Sequence, residues 1–288
     1  MATTVIGDIH GEADLLRDLL SRIDSSDALI FVGDLIDRGH DNRGVIETVR
    51  PLVESGRAIC LMGNHELNAV LFHTLNADGV PLRDRTEKRV ARHEAFLRDY
   101  PIGDLATYDV IEWFASLPVF IDRPDLRVVH AQWDAAAIDR IRQAGDECGG
   151  LPSNWTDRWQ FDSAFRDALF TLLNGAEHPI PDGQTVLDKS GQDRSSVRLS
   201  WWNGRIGSRL SDQIAGPTAH RMQFFDHPPT HMPDGLYPAD TPPVVFGHYG
   251  FDDDQALRAP NVICVDHTRR AGGPLTAWRT DGTFIQVR

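Results

Sequence analysis

Five short stretches place metal-competent side chains beside glycine or at the end of an apolar run. They are "GDIHG" (Gly7–Gly11), "GDLIDRG" (Gly33–Gly39), "GNHE" (Gly63–Glu66), "VVHA" around His130 and "FGHYG" around His248. Together they offer carboxylates (Asp8, Asp34), imidazoles (His10, His130, His248) and an amide (Asn64), with no thiolate. Mixed oxygen and nitrogen donors suit hard or borderline divalent ions such as Mn²⁺, Fe or Zn²⁺. A central carboxylate can bridge two such ions, and a pair about 3.5–4 Å apart suits in-line displacement at phosphorus. Singly, each stretch has a plainer reading: an Asp-x-His can cap a turn, and a lone His can be an interior one. Five such sets, all expected at strand ends, read as one metal site.

The elements that must gather them are apolar runs: Thr3–Asp8, Ala28–Asp34, Ala58–Asn64, Arg127–Ala131, Pro243–His248 and Asn261–Asp266. Their hydrophobicity is continuous rather than alternating, as in strands buried on both faces. Between the early ones, Leu15, Leu16, Leu19, Leu20 and Ile23 form one helical stripe, and "NRGVIETVRPLVESG" forms another. Further helices are expected at Thr86–Tyr100, Leu105–Ser116 and in "FDSAFRDALFTLLNG". "PLTAWR" and "TFIQVR", joined by "TDG", read as a terminal hairpin. Strand–helix alternation marks an α/β domain, whose ligands bind outside the carboxyl ends of the strands. We expect one domain over 1–288, with a Trp/Pro-rich insertion or cap at about 151–240 holding Trp155, Trp159, Trp201 and Trp202. It reads equally as a substrate wall or as a packed cap.

Composition bounds the rest. Of 288 residues, 41% are apolar and 25% charged, as in ordinary globular proteins. The net charge of −13 argues against a non-specific grip on nucleic acid or anionic lipid. Cys60, Cys148 and Cys264 show no metal spacing, and Cys60 and Cys264 sit in strand-like runs as buried thiols would. There is no basic n-region or apolar h-region at the start and no run long enough to span a membrane, so a cytoplasmic location is expected.

The series "GDIHG … GDLIDRG … GNHE … H … GH" resembles the calcineurin-like metallophosphoesterases, in particular the phosphoprotein phosphatase branch and its bacterial relatives. The resemblance implies a four-layer α/β/β/α sandwich with two central mixed sheets. It implies that Asp8 and His10 hold one of two metal ions, Mn²⁺ in first place, that Asp34 bridges, and that Asn64, His130 and His248 hold the other. It further implies that His65 is the general acid, paired with Asp37, and that Arg38 clasps phosphate. A hydroxide bridging the metals would then attack phosphorus in line, since metal-bound water ionises near neutral pH. Arg38 would neutralise the equatorial oxygens with a fork matched to phosphate, and an imidazole kept charged by Asp37 would protonate the leaving oxygen.

There are departures. Met62 stands where eukaryotic relatives carry Arg, "HAQW" replaces "HGG", and Gly250 stands two residues after His248 where other branches carry a second His. A second phosphate-binding Arg has two candidates, Arg205 and Arg221. His40 reads as a solvated loop residue, and His267 as either a substrate-facing or a surface residue. Two functions follow: a phosphomonoesterase acting on phosphoserine or phosphothreonine, and, as the alternative, a dinucleoside polyphosphate hydrolase of the diadenosine tetraphosphate type. The partner is accordingly a phosphorylated protein or nucleotide. An inert metal-binding scaffold would lack His65, Asp37 or a ligand, and none is missing.

Overall fold

A computed structural model of the chain describes residues 2–145, 149–180, 183–187, 193–203, 209–215, 237–251, 257–267 and 273–288. The first half alternates β1 (Thr3–Ile6), α1 (Ala13–Arg22), β2 (Ala28–Phe31), α2 (Asn42–Glu54), β3 (Ala58–Cys60) and α3 (Asn64–His73). Then follow α4 (Glu87–Arg92), α5 (Glu94–Asp99), α6 (Leu105–Ala115), β4 (Phe120–Asp122), β5 (Arg127–Val129), α7 (Ala135–Ala144), α8 (Trp155–Phe161) and α9 (Ser163–Asn174). Four short strands come next, β6 (Glu177–Pro179), β7 (Val186–Leu187), β8 (Asp193–Arg194) and β9 (Ser196–Arg198), then α10 (Leu210–Gln213). The chain closes with β10 (Val244–Phe246), β11 (Leu257–Ala259), β12 (Val262–Cys264), β13 (Leu275–Arg279) and β14 (Phe284–Val287).

Two five-stranded mixed sheets result, ordered β14-β13-β1-β2-β3 and β11-β12-β10-β5-β4. In the first, β1, β2 and β3 run parallel; in the second, β5, β10 and β12 do. Alternation along the strands assigns their faces. Val5, Ile30, Trp278, Val128, Val245 and Ile263 pack together as a dry layer between the sheets. Their neighbours Ile6, Leu29, Phe31, Cys60, Val129, Val244, Phe246, Val262 and Cys264 face outward into helices and loops. Helix α1 lies on β13 and β14, α2 on β3, and α7 packs along α9. Strands covered on both faces must be apolar at every position, which is why the runs showed no alternation.

Each strand stops two to four residues short of its apolar run, and the remaining residues start the functional loops. The stretch expected to form one helix over Thr86–Tyr100 is instead α4 and α5, broken at His93 (φ −105°, ψ 6°). In the 151–240 span, Trp201 and Trp202 are buried against Phe246 and Tyr249, while Trp155 and Trp159 are partly covered. The terminal hairpin pairs as expected, Thr276 opposite Gln286, with Gly282 at φ +92° in its turn. Cys60 and Cys264 are buried free thiols; Cys148 lies outside the described residues. No helix among the described residues is long and apolar enough to cross a membrane.

Burial on this face falls off from the inner strand β2 to the edge strand β3, and the energies should differ accordingly. Ile30 is 2% exposed between the sheets, while its partner in the β2–β3 register, Ile59, is 42% exposed. Ile30→Ala is expected to cost about 2–5 kcal/mol and Ile59→Ala about 0.5 kcal/mol or less, read from urea unfolding midpoints.

Candidate functional site

The parallel strands of both sheets deliver their loops to one place. Asp34 O accepts from the Ile9 and His10 N–H groups (3.0 and 2.9 Å), and Leu35 O from Gly11 N–H (2.8 Å), lacing the first two loops together. His130 Nδ1 donates to Val32 O at 2.8 Å, and His248 N–H lies 3.1–3.2 Å from both Asp8 oxygens, tying in the second sheet. Among the described residues, five non-glycine ones have left-handed backbone: His10, Asp34, Asp37, Arg38 and His248, with φ between +49° and +68°. All five were singled out from the sequence. Such conformations cost about 1–3 kcal/mol each and persist where surrounding structure imposes them, typically at functional sites.

Close approach also explains two glycines. A Cβ on Gly63 would lie 2.4 Å from the Asp34 backbone nitrogen and Oδ1, and one on Gly247 would lie 2.1 Å from Asp8 Oδ1.

The side chains converge with their acceptors facing one another. His10 Nδ1 donates to Ile36 O (3.1 Å), so its Nε2 lone pair points at Asp8 Oδ2 (3.8 Å) and Asp34 Oδ2 (3.7 Å). His130 spends its Nδ1 hydrogen on Val32 O, leaving Nε2 3.1 Å from Asn64 Oδ1 and 3.4 Å from Asp34 Oδ1. His248 Nδ1 approaches the same Asn64 oxygen at 2.8 Å. Donor atoms around one divalent ion at about 2.1 Å sit roughly 3 Å apart, and the set around Asn64 matches that spacing. Asp34 stands between two groups of side chains, Asp8 and His10 on one side and Asn64, His130 and His248 on the other.

Electrostatics agree in part. Burial and the charges of Asp266 and Asp34 push Asp8 well above the usual carboxylate range. Burial also opposes ionisation of Asp34, but the imidazoles of His130 and His65 hold it well below. Burial, with the Arg38 charge, keeps His10 neutral; burial, with Arg198, does the same for His248. A metal ion favours neutral imidazoles and ionised carboxylates; burial already keeps His10 and His248 neutral, whereas Asp34 raises the basicity of His130 against its burial, and Asp8 is pushed toward its protonated form. All six residues read as ligands from the sequence are therefore brought together; their donor types suit divalent cations, and the spacing around Asn64 suits one.

His65 stands beside this set without joining the Asn64 cluster. Its Nδ1 is 2.6 Å from Asp37 Oδ2, and its Nε2 is 3.9 Å from Asp34 Oδ2. Burial lowers its basicity, but Asp34 and Asp37 outweigh that and raise its pKa. Arg38 is exposed beside His10 and His65, whose pKa values its charge depresses. Arg205 and Arg221 lie outside the described residues, as do Arg269 and Arg270. Met62 is fully buried in the core, facing away from the loops. His40 is exposed, 3.7 Å from Glu12, and His267 is buried rather than on a surface turn.

Three contributors were not anticipated. The Glu66 carboxylate accepts 2.8 Å bonds from the N–H groups of Asp34, Leu35 and Gly63. Arg198 in β9 donates to His248 O at 2.9 Å. His93, in no motif, places Nδ1 2.8 Å from Asp37 Oδ1. The break in the 86–100 helical pattern carries no sequence signal in "RVARHEAF" that would have found it.

Two outcomes are expected. Glu66→Gln sets an amide N–H₂ against backbone N–H donors, and should lower stability by about 1–3 kcal/mol and weaken Mn²⁺ binding in calorimetric titration. His73 is buried beside His93, and burial, then the charges of His93 and Arg85, push its pKa down to about 3. Below its ordinary 6.5 the unfolded chain takes a proton that the folded chain refuses, so stability is lost as pH falls from 6.5 toward 3. His73→Phe should flatten that loss in urea midpoints measured between those limits.

Comparison with known proteins places this architecture. A family model described as calcineurin-like phosphoesterase matches residues 1–198. The chain is 28% identical over 310 residues to a protein of Janthinobacterium sp. (strain Marseille) named bis(5'-nucleosyl)-tetraphosphatase, symmetrical, spanning 100% of this chain and 96% of that one. A protein of the same name from Aeromonas salmonicida (strain A449) is 28% identical over 301 residues, spanning 97% and 94%. A solved cold-active protein tyrosine phosphatase shares the fold, with a TM-score of 0.52 and 19% identity over 100% of this chain and 78% of that one. The chain belongs to the calcineurin-like phosphoesterases, metal-dependent hydrolases of phosphoric esters.

Proposed function

We propose that this protein hydrolyses dinucleoside polyphosphates of the diadenosine tetraphosphate type, cleaving them symmetrically. The observation that carries the proposal is the extent of the similarity. Relatives bearing that activity in their names align over essentially the whole chain, including the 151–240 span that would form the substrate wall. The phosphoprotein reading stood first from the motifs alone, which report the shared chemistry at phosphorus and not what lies beyond it. The order is therefore reversed.

In this reading Asp8, His10 and Asp34 hold one divalent ion, and Asp34, Asn64, His130 and His248 hold the second. When bound, the two ions activate water and neutralise charge at phosphorus; we propose Mn²⁺ for them. Arg38, exposed at the mouth, offers a guanidinium fork to phosphate oxygens. His65 points Nε2 into the site while its Nδ1–H is engaged by Asp37, the arrangement of an imidazole set to give up its outer proton to a leaving oxygen. A leaving nucleoside diphosphate is already a stable anion, so it asks less of His65 than a serine alkoxide would. A site that served phosphoserine would depend on His65 more heavily.

The test is product analysis. With Mn²⁺, diadenosine tetraphosphate should yield two molecules of ADP, and a chelator should abolish the reaction. Formation of ATP and AMP, or a higher kcat/KM on phosphoserine peptides with the dinucleotide left intact, would overturn the proposal.

A further inference from the structure

His93 was passed over in the sequence because nothing there marks it, yet it is 5% exposed and contacts the partner of the general acid. It sits at the break between α4 and α5, and its backbone N–H reaches Arg89 O and Val90 O (3.1 and 3.0 Å). Leaving helical geometry there turns the imidazole inward, where it stacks on Phe96 (centroids 4.7 Å, planes 24° apart) and meets Phe72 and His73 edgewise. Three packed rings hold the imidazole in that orientation.

Asp37 is consequently held between two imidazoles. His93 Nδ1 lies 2.8 Å from Oδ1, and His65 Nδ1 lies 2.6 Å from Oδ2. The Asp37 backbone is fixed as well, with φ at +68° and its N–H given to Asn42 Oδ1 at 2.6 Å. An ionised carboxylate only accepts, so both imidazoles carry their hydrogens on Nδ1. That assignment leaves the outer nitrogen of His65 directed at the metal cluster. Without the His93 donor, Oδ1 would be buried with no partner and the carboxylate plane would be free to rotate.

We infer that His93 is a positioning residue: by donating from Nδ1 to Asp37 Oδ1, it locks the carboxylate plane that in turn fixes the tautomer and aim of His65. The inference rests on the reading of His65 as general acid, and the experiment separates the two. His93→Phe keeps the aromatic packing and removes the donor; His93→Asn returns an N–H near the position of Nδ1.

On diadenosine tetraphosphate with Mn²⁺, His93→Phe should lower kcat about 10- to 100-fold, as removal of supporting partners typically does. KM should change less than about twofold, bound metal should be unchanged, and His93→Asn should recover most of the rate. Residues acting as one unit are non-additive, so His65→Asn/His93→Phe should be no slower than His65→Asn. In ¹⁵N-labelled protein, wild type should show downfield Nδ1–H protons from His65 and His93 beside those of His10 and His130. His93→Phe should lose the His93 signal and shift that of His65.

Wild-type kcat in His93→Phe with an unshifted His65 signal, or fully additive losses in the double variant, would overturn the inference. Full activity in His65→Asn would instead overturn the general-acid reading, while the N–H spectrum still decides whether His93 orients Asp37. Should His93→Phe fail to fold, His93→Leu carries the test: a shifted His65 ring N–H signal with a lowered kcat supports the inference, and an unshifted His65 signal with wild-type kcat overturns it.

Discussion

Everything at this site depends on an unfavourable arrangement: acceptor atoms pointed at one another. The hydrogens of His10 and His130 are committed to the backbone oxygens of Ile36 and Val32, so the free lone pairs face Asp8, Asp34 and Asn64. Buried acceptors without donors between them are costly. A cation between them would offset that cost. The polar backbone contacts therefore do two things at once: they orient the rings, and they turn the free ring nitrogens of His10 and His130 toward the centre.

Holding such an arrangement requires a frame that does not yield. The apolar layer shared by Val5, Ile30, Val128, Val245 and Ile263 clamps the two sheets so that their parallel strands end on one line. Five residues then accept left-handed backbone to swing their side chains inward. Glu66 braces the turn from behind, gathering three backbone N–H groups that no strand or helix could serve. Its own burial and the charge of Asp34 push its pKa up to about 7. Bound cations relieve that pressure, which couples loop geometry to metal loading.

Legibility followed chemical type. Asp8, His10, Asp34, Asn64, His130 and His248 were readable because a metal site needs particular donors, and strand ends are where an α/β sheet presents them. His65, Asp37 and Arg38 were readable through the motifs around them. His93 and Arg198 were not: a histidine in "RVARHEAF" and an arginine in "SVRLS" look like any surface residue until folding turns them inward. Strand lengths were overread because loop residues flanking a strand are as buried as the strand itself. The single helix expected over 86–100 failed because periodicity does not register a break that tertiary contacts impose.

The sequence by itself determined the chemistry: which donors exist, that they follow strands, and that phosphorus is the reacting atom of the family they define. Donor type and local backbone preference are properties of individual residues and their near neighbours, so they survive in one dimension. The tertiary structure decided which lone pairs face each other, which carboxylate takes two imidazoles and which tryptophans are core. Those depend on distances between residues far apart in the chain, such as His93 and Asp37 or His248 and Asn64, and only packing sets them.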